Sequence, residues 1–131
     1  MSDTTTESEA VRIAREMLAA LTGISQARVR LVATRMEQRA IGDALLIYEA
    51  QFEARYIEGA GGEKALGSNA ESRERALIIA RAADTEWTRL SAVQVGLESK
   101  HEHQRIALDD LLDAQQVRRY LIRALTPGAG E

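Results

Sequence analysis

Glu98 and His101 are the residues whose types and spacing come nearest to a metal site. A Glu-x-x-His spacing puts both side chains on one face of a helix and is half of the ligand set of di-iron four-helix bundles. A dimer would supply the second pair, and Asp43 or Glu49 could supply further carboxylates. His103 lies about 200° round the helix from His101, so the two histidines cannot hold one ion. We interpret residues 98–105 as a polar, solvated stretch in the middle of a helix, with a di-metal oxidase as the alternative.

Arginine side chains form the largest cluster of positive charge in a chain whose net charge is −3. Two groups would meet at one end of an antiparallel hairpin: Arg28, Arg30, Arg35 and Arg39, with Arg118, Arg119 and Arg123. Such a cluster could hold the phosphates of DNA or RNA. The other interpretation is an ordinary charged surface whose C-terminal arginines interact with the dipole of their helix. Tyr120 is the one aromatic residue among them, so base stacking has little support.

Other catalytic motifs are excluded by the residues that they lack. The glycine-rich stretch 59–64 has no Gly-Lys-Ser/Thr ending and no buried strand before it, which predicts a hinge rather than a phosphate-binding loop. Asp109, Asp110 and Asp113 could suggest a metal-dependent hydrolase, but consecutive residues face different ways on a helix, so we interpret them as a solvated face. The chain has no cysteine, which excludes disulfides, thiolate metal sites and cysteine nucleophiles. We expect no enzymatic activity and no cofactor.

Composition bounds the fold and the cellular setting. The 131 residues are 45% hydrophobic but only 4% aromatic, and the many alanines favour close helix contacts over a thick core. We expect a single domain, 1–131, with disordered tails at 1–6 and 127–131. No apolar stretch approaches the roughly 18 residues of a membrane span, and the polar N-terminus is unlike a signal peptide. We therefore expect a cytoplasmic protein with no membrane partner.

Helix signals divide the chain into segments. Gly23 supplies a left-handed position that ends a first helix, and Asp84 is a good N-cap in a long run that otherwise lacks a break. Pro127 follows the last helical residue. The expected order is a helix at 7–22, a helix at 25–57, a glycine-rich loop at 58–67, a short helix at 69–82 and a long helix at 85–125.

Apolar residues of the last helix follow the three–four spacing of a coiled-coil seam. They are Trp87, Leu90, Leu97, Leu108, Leu111, Ile122 and Leu125. The fold class predicted is all-α: an elongated, coiled-coil-like antiparallel helical hairpin with short flanking helices. Because one hairpin cannot cover stripes this wide on both helices, we expect a homodimeric helical bundle.

Residues 66–125 resemble a group of small phage and prophage helical proteins of unassigned function. Those proteins carry a Gly-x-Asn-Ala-x-x-Arg stretch, an Asp-x-Glu-aromatic step and a long amphipathic helix. The matching residues are Gly67, Asn69, Ala70 and Arg73, followed by Asp84, Glu86 and Trp87. The resemblance implies an accessory role beside recombination or replication proteins, without catalytic residues, and a helix break near Asp84.

The sequence thus predicts a non-catalytic interaction protein that contacts a second copy and an unidentified protein partner along the seam. The alternative, from another functional class, is a nucleic-acid-binding accessory protein that uses the arginine cluster.

Overall fold

The computed structural model describes residues 8–126, and these are almost entirely helical. Helix α1 spans Glu9–Ala60, a 3-10 turn spans Glu63–Ala65, helix α2 spans Ala70–Ala82 and helix α3 spans Thr85–Leu125. No strand occurs among residues 8–126, so the all-α prediction is confirmed. The tails predicted at 1–6 and 127–131 lie outside the described residues.

Helix α1 passes through Gly23 without interruption, so the predicted end of a short first helix at this glycine is wrong. Gly23 has no positive φ, and glycine inside a helix costs only about 1 kcal/mol against alanine. Ile24 and Ala27, which follow directly, are buried in a cluster with Leu108 of α3. This packing holds the helix together across the glycine, and the helices predicted at 7–22 and 25–57 are one.

The chain divides into two compact units, which we describe separately. The terminal unit contains residues 8–33, with the first half of α1, and residues 101–126, with the second half of α3. The central unit contains residues 34–100, which include the second half of α1, the 3-10 turn, α2 and the start of α3.

In the terminal unit, α1 and α3 run antiparallel. Gln115 is 5% exposed, and its side-chain amide donates a hydrogen bond to the backbone carbonyl of Met17 at 3.0 Å. One turn further along α3, the Arg118 guanidinium lies 3.9 Å from the Glu16 carboxylate. Further along α1, Ile24 and Ala27 form an apolar cluster with Leu108 of α3. Leu31, Leu111 and Leu112 pack against this cluster. These contacts fix the register of the two helices in this unit.

In the central unit, a glycine turn ends α1. Gly61 and Gly62 have φ of 92° and 119°, which side-chain-bearing residues rarely adopt, so the helix stops at Ala60. The loop is therefore shorter than the predicted 58–67 at its start. Before α2, a Cβ at Gly67 would lie 2.9 Å from the Cβ of Ser72, so only glycine allows this close approach.

Capping side chains define the N-terminal ends of α2 and α3. Asn69 accepts from the Ser72 amide at 2.8 Å, and the Ser72 hydroxyl lies 3.3 Å from the Asn69 amide, which completes a capping box. Asp84 accepts from the Trp87 amide at 2.8 Å and caps α3. The helices predicted at 69–82 and 85–125 match α2 and α3 within one residue.

Candidate interaction surfaces

An apolar stripe on α1 is exposed in the terminal unit. Its members are between 52% and 69% exposed: Val11, Leu18, Leu21, Val29 and Val32. At 100° per residue they lie within about 80° of one another and roughly 130° round the helix from the buried Ile24 and Ala27. We call these five residues the outer stripe. Exposed apolar side chains grouped in this way are typical of surfaces that contact other proteins.

The outer stripe is close to symmetric about Ser25. Leu21 and Val29 each lie four residues from this serine, and Leu18 and Val32 each lie seven residues from it. Ser25 is itself exposed. An antiparallel second copy centred on Ser25 would therefore bring apolar side chains of the outer stripe opposite one another.

Arginine residues of the two predicted groups are not brought together in the terminal unit. Arg118 lies beside Glu16, so the C-terminal arginines are level with the beginning of α1. Arg28 and Arg30 are twelve or more residues further along α1, which is roughly 18 Å of helix. The expectation that both groups meet at one end assumed a helix that begins at residue 25, and the uninterrupted α1 shifts the register.

The individual arginines differ in what they contact. Arg28, Arg30, Arg35 and Arg39 are exposed and form no ion pair with another described residue. Arg119 donates to the side chain of Gln116 at 3.1 Å, and Arg123 is exposed in the last turn of α3. Arg28, Arg30, Arg35, Arg39 and Arg123 are therefore open to an anionic partner.

The residues considered for a metal site have other environments. Among residues 8–126, no group of three or more His, Asp or Glu side chains is placed to hold a metal ion. Glu98 is exposed in the central unit, and His101, in the terminal unit, is half-buried. Glu49 accepts a hydrogen bond from the Trp87 indole at 2.9 Å, which gives this carboxylate a structural partner.

The predicted seam of α3 is largely turned inward. Leu90 and Leu108 are buried, at 7% and 8% exposure, and Trp87, Leu97, Leu111 and Ile122 are half-buried. Leu125, at 42% exposure, is not covered. The seam therefore packs mostly inside the chain. The sequence shows Val29 and Val32 as a stripe but not the direction in which that stripe points.

Asp84 joins α1 to the start of α3 in the central unit. Its Oδ2 atom accepts from the Tyr48 hydroxyl at 2.6 Å as well as from the Trp87 amide. The Tyr48 hydrogen bond and then the Trp87 amide lower the pKa of Asp84, because both stabilise the carboxylate. The same hydrogen bond raises the pKa of Tyr48, because it stabilises the neutral phenol. At neutral pH this contact is a charge-assisted hydrogen bond.

Three aromatic rings form a row on α1 beside Asp84. The Tyr48 and Phe52 ring centroids are 6.4 Å apart, and those of Phe52 and Tyr56 are 5.9 Å apart, with interplanar angles of 30° and 10°. The Arg55 guanidinium lies 5.7 Å from the centre of the Tyr48 ring. These four side chains and Asp84 line an open cleft of about 300 Å³, which we call the aromatic cleft. The four-residue spacing of Tyr48, Phe52 and Tyr56 is visible in the sequence, but the contribution of Asp84 is not.

A second cleft, of about 410 Å³, lies in the central unit between the end of α1 and α2. Apolar Ile57 and Leu77 line it together with charged side chains of both signs. Arg73 already donates to the Gly67 carbonyl at 3.1 Å and lies 3.9 Å from Glu63. The mixed charges of this second cleft favour no single class of ligand.

No helix among residues 8–126 is both long enough and apolar enough to cross a membrane. Compared with protein-family models, curated proteins and solved structures, the chain matches none of them.

Proposed function

We propose that this chain is a non-catalytic interaction protein that works through protein–protein contacts, the first of them with a second copy of itself. The outer stripe carries this proposal, because five large apolar side chains stay exposed on one side of a helix whose other side is already packed. The resemblance of residues 66–125 to small phage proteins supports an accessory role rather than a catalytic one.

A two-fold dimer about Ser25 would cover most of the outer stripe. Antiparallel pairing places Leu18 opposite Val32 of the second copy and Leu21 opposite Val29. Full burial of such a side chain is worth about 1.5–3 kcal/mol, and these are already partly covered, so each would contribute roughly 1 kcal/mol. Eight side chains would contribute about 8 kcal/mol, and an association cost of about 4 kcal/mol leaves a weak dimer with a Kd of about 1 mM.

Cysteine cross-linking tests this arrangement, since the natural chain has no cysteine. Ser25 would lie on the two-fold axis, so we expect Ser25→Cys to form a disulfide with its own copy under a mild thiol oxidant. Leu18→Cys should cross-link poorly to itself but efficiently when mixed with Val32→Cys. Ala114→Cys, on an exposed part of α3, is the control.

Sedimentation measurements give the result that would reject the dimer. We expect wild type to move from 14.4 kDa toward twice that mass as its concentration rises. Leu21→Glu should keep the chain monomeric, whereas Val117→Glu, which is 55% exposed on α3, should leave association unchanged. A wild-type monomer at about 500 µM, or equal association of both variants, would overturn the proposal.

Nucleic-acid binding is the second candidate function, favoured by the unpaired arginines of α1. Arg28 and Arg30 are exposed in the terminal unit without an ion pair to another described residue. Replacing both with Glu should abolish any salt-sensitive retardation of DNA, while Arg119→Glu should change it little because Arg119 lies at a different level of the unit. Wild type that retards neither single- nor double-stranded DNA at low salt removes this candidate.

A further inference from the structure

We propose that α2 and the 3-10 turn before it, residues 63–82, form a flap that opens away from α1 as a unit and exposes the apolar lining of the second cleft. The flap lies wholly in the central unit, and its opening is independent of the outer stripe and of the dimer. The proposal therefore assigns the chain a conformational change in addition to its contacts with a second copy.

Helix α2 is packed less tightly than the helices beside it. None of its 13 residues is buried, and Ile78 and Ile79 are 49% and 64% exposed. In the same unit, Leu45 of α1 and Leu90 of α3 are only 8% and 7% exposed. Local opening requires least free energy where few apolar side chains are buried, so α2 is the helix of this unit that opens most easily.

Among residues 8–126, no hydrogen bond or ion pair joins α2 to α1. The space between the two helices is the second cleft, of about 410 Å³, and Ile57 of α1 and Leu77 of α2 supply apolar lining to it. Both side chains are half-buried. Because they are only partly covered, exposing them costs less free energy than exposing a leucine of the core.

The polar contacts of α2 join it to the turn that precedes it. Arg73 donates to the Gly67 carbonyl at 3.1 Å and lies 3.9 Å from the Glu63 carboxylate. The capping box of Asn69 and Ser72 closes the start of the helix. None of these contacts has to break when α2 leaves α1, so the turn and the helix can move as one body.

The flap has a hinge on each side. Gly61 and Gly62 precede it with φ of 92° and 119°, and glycine allows wide changes of the backbone angles at this point. On the other side, Asp84 is fixed by hydrogen bonds to α1 and to the first turn of α3. Ala83 lies between α2 and this fixed residue, so the backbone change occurs there.

A cation–π contact holds the far end of α2 to α3. The Arg81 guanidinium lies 6.0 Å from the centre of the Trp87 ring, at the distance limit of such contacts. The Nε atom of Arg81 is buried and has no hydrogen-bond partner among the described residues. Because a buried donor without a partner costs free energy, this end of the closed flap is also weakly held.

Hydrogen exchange of the folded protein in low urea, at one fixed protein concentration, tests the proposal. A separate helix of 13 residues is marginal in water, so its amides exchange once the flap opens. We expect amides of residues 74–82 to exchange at least about 100-fold faster than those of Leu45 and Leu90. They should share one opening free energy and depend weakly on urea, because opening exposes little surface.

Two substitutions on α2 test what holds the flap closed. Leu77→Ala removes a side chain that lines the cleft, and it should speed exchange of the α2 amides about tenfold. Ile79→Ala is the matched control on the same helix, where the side chain is 64% exposed, and it should change exchange less than about twofold. Far-UV circular dichroism shows whether the helices of each variant are intact.

A substitution in the core tests whether the flap opens by itself. Leu45→Ala removes a buried side chain away from the residues that line the cleft. It should speed exchange of the Leu90 amide about 30-fold or more, because that amide exchanges when the unit unfolds. The α2 amides should keep their wild-type rate, because Leu45 stays packed while the flap is open.

Three results would overturn the inference. One is exchange of the wild-type α2 amides at the rate and with the urea dependence of the Leu90 amide. Another is equal acceleration by Leu77→Ala and Ile79→Ala, which would show that the cleft lining does not hold the flap. The third is acceleration of the α2 amides by Leu45→Ala as large as that of the Leu90 amide, since α2 would then open only when the whole unit unfolds.

Discussion

Replacing Gly23 with alanine should stabilise the protein. Gly23 lies inside α1 without a positive φ, and a Cβ built on it meets no atom within 4 Å. An added methyl group therefore causes no clash, and it reduces the conformational freedom of the unfolded chain. If Gly23 instead ended a helix in a left-handed conformation, as the sequence predicted, the same substitution would strain the backbone and destabilise the fold.

The expected gain follows from helix propensity. Alanine exceeds glycine by about 0.8–1.0 kcal/mol inside a helix, and measured Gly-to-Ala gains at compatible sites are about 0.4–1 kcal/mol. We therefore expect the free energy of unfolding to rise by about 0.5–1 kcal/mol. For a chain of this length, that corresponds to an increase in Tm of about 2–5 °C.

Urea and thermal unfolding, followed by circular dichroism at one fixed protein concentration, measure this change. Gly96→Ala is the matched control, because Gly96 also lies inside a helix with nothing within 4 Å of its Cβ, and it should stabilise similarly. Gly61→Ala should do the opposite, because Gly61 has a φ of 92°. A loss of stability in Gly23→Ala with a gain in Gly96→Ala would refute a continuous α1.

Three further substitutions test other contacts. Gly67→Ala should destabilise by about 1–3 kcal/mol in urea unfolding, because its Cβ would also lie 3.1 Å from the backbone nitrogen of Arg73; unchanged stability would contradict the close approach. Leu108→Ala should lower the free energy of unfolding by about 2–3 kcal/mol, which is at the low end for a buried leucine because few residues form this cluster. Ile106→Ala should lower it by less than about 0.5 kcal/mol, because Ile106 is 47% exposed. Equal losses in the two variants would place Leu108 outside the core. Asp84→Asn should make the free energy of unfolding less dependent on pH in acid. The pKa of Asp84 is lowered in the folded protein, so its stabilising contribution is present above the unfolded pKa of about 3.9 and is lost as the pH falls through the folded pKa. Unfolding of both proteins at pH 5 and pH 3 measures this, and equal losses of stability between the two pH values would exclude this role.

Local features of the sequence predicted local structure well. Asp84 was recognised as a helix start because capping depends only on residues within one turn, and its bond to the Trp87 amide confirms it. The glycine-rich loop that contains Gly61 and Gly62 was recognised for the same reason. The break that separates α2 from α3 could thus be placed to within a residue.

Contacts between distant residues could not be predicted in the same way. Gly23 was misjudged because burial of Ile24 against Leu108, a contact across most of the chain, overrides its weak helix propensity. The two arginine groups were wrongly placed together because the register of α1 against α3 depends on contacts such as that of Gln115 with Met17. Nothing in the sequence close to Gln115 or to Met17 indicates that these two residues are partners.

The sequence separation of these contacts sets an order of folding. Tyr48 and Asp84 are 36 residues apart, whereas the Gln115–Met17 bond in the terminal unit joins residues 98 apart. Closing the longer loop costs more chain entropy and, during synthesis, must wait until the last helix has left the ribosome. Pulsed hydrogen exchange should therefore show protection of residues 34–100 before residues 8–33. In a growing chain, the first three turns of α1 would spend the longest time without their intramolecular partner.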